Sequence, residues 1–212
     1  KELAEPVMKN GQTYGTTISA EAVKATIPGY HYVGSDKQDD ILTITVAEGT
    51  NRNKDNVITL YYAEDDPITI TYQSADETMG TVELAEVETS DYKKVSITDA
   101  EGTVTGYQIQ ETLAPATGAV KGATATVKPG LGYRFTGWTI KTGEVQEKDQ
   151  PDLKNPDKAT FKPNKVGGVN VAATYVANFE PIDELGYQIE YIYYDKDSSK
   201  ATYTNTVVSE MK

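Results

Sequence analysis

The sequence predicts a mainly β chain of the α+β class, built from repeated modules. Three observations carry this. The chain matches itself, its apolar residues fall in short β-branched and aromatic runs, and helix signals are sparse. Residues 2–33 read ELAEP…GQTYGTTISAEAVKATIPGYHYV and residues 111–136 read ETLAPATGAVKGATATVKPGLGYRFT. Laid together, Leu3 meets Leu113, Pro6 meets Pro115, Gly15 meets Gly122, Thr17 meets Thr124, Gly29 meets Gly132 and Tyr30 meets Tyr133, with the second copy a few residues shorter. Self-similarity at a long period is the signature of an array of modules. Such arrays serve reach, spacing or multivalent binding more often than a single catalytic centre.

Taken in order, the first element is a short helix over Ser19–Ala25, with Ser19 as N-cap and Glu21 in its first turn. Strands follow at Ile41–Val46, Val57–Tyr62 and Ile68–Tyr72, each rich in Ile, Val, Thr or Tyr and bounded by Gly, Asn, Asp or Pro. Later strands are expected at Arg134–Ile140, Val169–Phe179 and Tyr187–Tyr194. Turns are marked by Asn10-Gly11, Pro28-Gly29, Pro129-Gly130 and Gly167-Gly168. Two acidic joints containing proline, Glu64–Pro67 and Glu180–Glu184, lie between strands, and proline suits a joint because it cannot donate to a ladder. They divide the chain into residues 1–66, 67–182 and 183–212.

Composition narrows the function. The net charge is −12 and the pI near 4.6. Nucleic acid and anionic membranes demand a basic surface instead. The absence of cysteine excludes disulfides, thiolate metal sites and cysteine nucleophiles. No run of about 18 apolar residues is present to span a bilayer. No signal peptide is visible, and the chain reads as part of something longer. The skew toward tyrosine, 15 against 3 Phe and 1 Trp, suits half-buried sheet faces where a ring packs and a hydroxyl reaches water.

The stretches GQTYG, IPGYHYVG, ILTITVAEGT and VITLYYAEDD, over roughly residues 10–65, resemble the mucin-binding-protein (MucBP-like) repeat of Gram-positive surface proteins. Gly132, Tyr133, Phe135, Gly137 and Trp138, followed by Ala159–Phe161 and Ala173–Phe179, resemble the internalin-type B repeat over roughly residues 120–180. Gln73–Gln110 matches neither pattern closely. The resemblance implies tandem β-grasp-like modules with a short helix or irregular crossovers, in a secreted, often wall-anchored protein. It supplies no catalytic residues. Residues 1–66 would then be a MucBP-like repeat lacking its opening strands, 67–182 a B-repeat-like module, and 183–212 the opening of a further module. A module without its first strands has an open edge, so Tyr187–Val207 is expected to pair with such an edge, in the same chain or in a neighbouring copy.

Candidate chemistry is thin. His31, the only histidine, lies in a strand pattern and reads as a surface residue, and no Gly-x-Ser-x-Gly elbow exists to pair with it. Asp195-Lys-Asp197-Ser-Ser199 opens like a calcium loop, but Lys200 and Thr206 stand where an EF-hand needs Gly and Glu. A weak irregular site there, or at Asp36, Asp39 and Asp40, is the alternative to plain solvated turns. With 32 acidic residues nothing singles out a glycosidase pair. Leu113-Ala-Pro-Ala-Thr-Gly118, though faintly like a sortase signal, reads as a turn. An isopeptide bond from Lys93 or Lys94 to Asn170 or Asn178 requires adjacent strands, and ordinary polar strand residues are the plainer reading.

Binding candidates are aromatic. Trp138 with Phe135 would make a sugar-stacking platform if outward, although tryptophan in a small module usually belongs to the core. Tyr61 and Tyr62, and Tyr191, Tyr193 and Tyr194, are adjacent strand residues of which some must point outward. The functional expectation is a non-enzymatic segment that adheres to host glycoprotein, mucin or matrix, with avidity from repetition. Its alternatives are a pure spacer projecting a distal domain, and an ancillary module of a wall-associated glycosidase. No cofactor, metal, nucleic acid or membrane insertion is expected, and the location is outside the cell.

Overall fold

Residues 1–46 and 56–183 are described by the computed structural model, together with the backbone of two later strands, Gln188–Tyr194 and Ala201–Val208. The first strands are short, and among the described residues only Ala20 and Leu42 of this region are buried apolar side chains. They are β1 (Thr17–Ser19), β2 (Tyr30–Ser35), β3 (Ile41–Thr43) and β4 (Leu60–Glu64). They form two antiparallel pairs, β1 with β3 and β2 with β4. The single helical turn α1 (Ala20–Val23) sits where the capping signal places it, with the Ser19 hydroxyl accepting the Ala22 N–H at 3.3 Å. It ends by Lys24, shorter than the Ser19–Ala25 expected.

The longer strands come next: β5 (Ile68–Ser74), β6 (Gly80–Leu84), β7 (Tyr92–Thr98), β8 (Val104–Leu113), β9 (Ala123–Val127), β10 (Tyr133–Gly143), β11 (Thr160–Phe161) and β12 (Ala173–Pro181). One sheet has the order β10-β12-β5-β8-β7, in which β12 and β5 run parallel and the other pairs antiparallel. A smaller sheet has the order β11-β9-β6. The two enclose one core. Ile70, Tyr72 and Ile109 face it from the large sheet, Val82, Ala125 and Phe161 from the small one. Alternation along β5 explains the burial: Ile70 and Tyr72 are inward while Thr69 is exposed. The last two strands, β13 (Gln188–Tyr194) and β14 (Ala201–Val208), form an antiparallel pair. Among the described residues no ladder joins a strand before residue 65 to one after residue 67.

The internal match of the sequence is also a match of pairing. Tyr32 pairs with Tyr62 as Phe135 pairs with Phe179. Thr17 pairs with Thr43 as Thr124 pairs with Thr160. In both units the register then slips by a bulge, before Gly34 in β2 and before Gly137 in β10. Thus β1, β2, β3 and β4 correspond to β9, β10, β11 and β12. Among the described residues the first unit has no counterpart of the partner on the far side. In the second, β12 is flanked by β5 and β9 by β6.

That difference accounts for the strand bounds. The sequence predicts a strand over Val57–Tyr62, yet β4 starts at Leu60. Residues 56–59 correspond to 173–176, which are strand in β12 and pair there with β5. Without a partner on that side, 56–59 have no ladder to join. The strand expected over Ile41–Val46 stops at Thr43. That expected over Val169–Phe179 begins at Ala173, because Val166–Val169 closes a tight turn around Gly167-Gly168.

Candidate functional site

The aromatic candidates divide by burial. Trp138 is 1% exposed, so the sugar-platform expectation is corrected. Its indole N–H donates to the Ala159 carbonyl at 3.2 Å, and its ring stacks on Phe161 with centroids 5.6 Å apart. Plain alternation from Phe135 would put Trp138 on the opposite face, and the bulge at Gly137 undoes this. The extra residue turns Trp138 to the same side as Phe135, and the two rings meet edge to face at 6.1 Å. Gly137 holds φ +134°, and a Cβ there would lie 2.5 Å from the Leu153 carbonyl oxygen. Tyr62 also turns inward, packing edge to face on Tyr32 while its hydroxyl bonds both the N–H and the carbonyl of Ala25. Tyr61 is half exposed. In the second unit the position matching Tyr61 is Asn178, whose amide is spent on the Gly137 carbonyl and Thr139. The side chains of Tyr191, Tyr193 and Tyr194 lie outside the described residues, as does the Asp195–Ser199 loop. One outward aromatic that alternation alone did not single out is Tyr107 on β8, covered on one face by the Lys94 ammonium at 4.8 Å.

The polar candidates are engaged elsewhere. His31 Nδ1 meets Asp65 Oδ1 at 2.9 Å on an open surface. Among the described residues no hydroxyl bonds its ring. Asp36 accepts the Thr59 N–H, which with Lys37 holds its carboxyl below the usual range. Asp40 accepts the Ser35 hydroxyl and N–H. Asp40 therefore serves its own loop and Asp36 ties that loop to Thr59, and among the described residues no three His, Asp or Glu side chains gather as metal ligands. The isopeptide alternative lacks the adjacent strands it requires. Lys93 and Lys94 lie on β7, which β8 and β5 separate from β12. Lys94 pairs with Glu83, and Asn170 precedes β12 rather than lying in it.

Two polar clusters went unnoticed in the sequence. The first is buried Glu111 on β8, only 3% exposed. Its Oε1 accepts the Tyr72 hydroxyl at 2.7 Å and the Gly122 N–H at 2.8 Å, and its Oε2 accepts the Lys121 N–H at 2.6 Å. Burial, then the Glu111 charge, holds the Tyr72 phenol well above the ordinary range. Burial alone pushes Tyr175 to about 12. Phenols so placed stay neutral, which suits a structural role.

The second cluster is the joint between the two units. The turn 114–118 after β8 is held from four sides. Asn170, 3% exposed, donates its amide to the Ala114 and Gly118 carbonyls and its N–H to the Pro115 carbonyl. Lys165 donates to the Ala116 carbonyl. From the first unit, the carboxylate of Glu64 at the end of β4 accepts the Thr117 N–H at 2.8 Å, the Ala116 N–H at 3.0 Å and the Thr117 hydroxyl. The Thr117 N–H is the foremost reason the Glu64 carboxyl stays below its ordinary value, with Ala116 and the Lys165 charge adding to it. Finally Gly29 packs directly on the turn. A Cβ at Gly29 would lie 2.9 Å from Ala116 Cβ and 3.1 Å from its backbone nitrogen. Past Leu113, the last residue of β8, the stretch is indeed a turn, and it seats the preceding unit. Its signal in the sequence was the acidic end of the LYYAE strand, whose partner lies about fifty residues away and cannot be read from spacing.

A shallow depression of about 280 Å³ lies along Glu147–Lys154, lined by both charge signs without a nucleophile or base pair at hydrogen-bonding distance. Comparison with protein-family models, with curated proteins and with solved structures finds no match.

Proposed function

We propose that the chain is a non-enzymatic stalk segment of a secreted or wall-anchored bacterial surface protein, its modules of the β-grasp-like type and divided near residues 66 and 182. The joint is the observation that carries the stalk reading. Glu64 and Gly29 of one unit clasp the 114–118 turn of the next by three hydrogen bonds and direct packing. A clasp of this kind limits bending between units, which a projecting spacer needs and a flexibly tethered binding module does not. The strongly acidic composition supports it, since like charges along a stalk keep neighbours apart in solvent.

The second reading, adhesion to host glycoprotein or mucin, rests on half-exposed Tyr61. It is weaker because the matching position of the second unit is Asn178, so repetition does not repeat the aromatic. Binding of the chain to mucin and to a glycan array, as monomer and as a multivalent display, separates the two. The stalk reading expects no saturable binding in either format. Saturable binding that Tyr61→Ala abolishes, with the fold intact, would overturn it in favour of adhesion.

A further inference from the structure

The first and last strands of the second unit lie side by side inside its large sheet. β5 opens the unit directly after the 65–67 joint, and β12 closes it at Pro181. The two run parallel, from Ala173 opposite Ile70 to Ala177 opposite Ser74. The Ala75 N–H extends the ladder by donating to the Ala177 carbonyl at 2.9 Å. Every other pair in this sheet is antiparallel.

Direction decides how such a pair meets tension. A pull on the chain enters β5 at Ile68 and leaves β12 at Pro181. Ile68 lies two residues before Ile70, and Pro181 lies eight beyond Ala173, the partner of Ile70. The two points therefore stand at opposite ends of the pair, about 33 Å apart at about 3.3 Å per residue. Tension between them runs along the strands. It strains all the hydrogen bonds of the pair together, because neither strand slides until all of them give way. In an antiparallel pair pulled at adjacent ends, tension falls on one bond at a time and peels the ladder open.

The surroundings reinforce the pair. β8 covers the far edge of β5, and β10 covers the far edge of β12. Ile70, Tyr72, Tyr175 and Ala177 are buried, and the Tyr72 and Tyr175 rings stack with centroids 5.9 Å apart. Sliding the strands would part these rings as well. Water has little access to replace a hydrogen bond as it breaks there, so each resists closer to its full strength.

We propose that the parallel β5–β12 pair is a tension clamp, by which the second unit withstands a pull along the chain. The proposal rests on the stalk reading for the source of the tension. The resistance itself follows from the sheet alone.

Single-molecule pulling on the full chain tests it, with cysteine handles that are specific because the chain has no cysteine of its own. Asp66→Cys with Asp183→Cys, both at exposed positions, pulls along the strands. Leu131→Cys with Asp183→Cys pulls the same end of β12 away from the start of its antiparallel neighbour β10, where Tyr133 stands opposite Pro181. Leu131 is exposed too. The first direction should need at least about two-fold the rupture force of the second at one pulling speed, since a whole ladder shares the strain in place of one bond. It should release in one step that lengthens the tether by about 350–390 Å, the extended span of residues 66–183 less their folded separation. Equal forces in the two directions overturn the clamp, and so does a release along the strands in several small steps. Either result leaves the stalk reading standing, which falls instead to saturable binding of mucin or a glycan.

Discussion

Gly29→Ala tests whether the two units are truly clasped. Gly29 holds φ +75° and Gly15 holds φ +79°, so alanine at either position carries the same left-handed backbone cost, about 1–2 kcal/mol. Their surroundings differ. Nothing lies within 4 Å of a Cβ at Gly15, whereas at Gly29 it meets Ala116 Cβ at 2.9 Å, Val169 Cγ1 at 3.0 Å and the Ala116 nitrogen at 3.1 Å. Val169 can rotate away, but the Ala116 backbone cannot. The added crowding should cost about 1–3 kcal/mol, in the range of an overpacked contact. It is relieved when the turn 114–118 moves off the first unit, and each 1.4 kcal/mol shifts that opening about tenfold. Hydrogen exchange at the Ala116 and Thr117 amides, both held by Glu64, reads the opening directly. Gly29→Ala should speed their exchange by about five-fold to more than a hundred-fold, while Gly15→Ala leaves it unchanged. Equal exchange in the two variants would refute the clasp.

The same joint should respond to pH. Glu64 is depressed in the folded chain, so its contribution is present above the ordinary glutamate pKa of about 4.3 and fades as pH falls below it through the folded value. Protection of the Thr117 amide, its exchange relative to the intrinsic rate at each pH, should therefore fall below that range, and Glu64→Gln should remove most of the dependence. Glu111→Gln keeps one carbonyl for Tyr72 and Gly122 but turns an NH₂ toward the Lys121 N–H, costing about 1–3 kcal/mol in chemical denaturation; an unchanged midpoint would show that the network is not closed. Trp138→Ala should cost about 3–5 kcal/mol by the same measure, because it empties the centre of the core. Tyr61→Ser should stay within about 0.5 kcal/mol, as a half-exposed edge residue.

Local signals were legible where the cause is local. The Ser19 cap, the alternation that buries Ile70 and Tyr72, and the turn at Pro28-Gly29 follow from a few neighbouring side chains. The self-match over residues 2–33 and 111–136 marked β1 and β2 as equivalents of β9 and β10, and the structure shows that their partners match as well. Trp138 was legible as a core residue from its size, and what alternation misplaced was only its side of the strand, because a glycine bulge resets the period. Glu111 escaped because a carboxylate between glutamine and threonine looks like a solvated one until its three donors close around it.

By itself, then, the sequence determined the strand-rich class, the internal repeat and three of the four turns it marks, Asn10-Gly11 being the exception, all of which rest on propensity and periodicity. Only tertiary structure decided that β12 gains a parallel neighbour and β4 does not, that Lys93 stands three strands from β12, and that Glu64 reaches the 114–118 turn. The physical reason is common to the three. Each depends on which edges meet after the chain has crossed from one sheet to another, and edges carry backbone groups that are the same for nearly every residue.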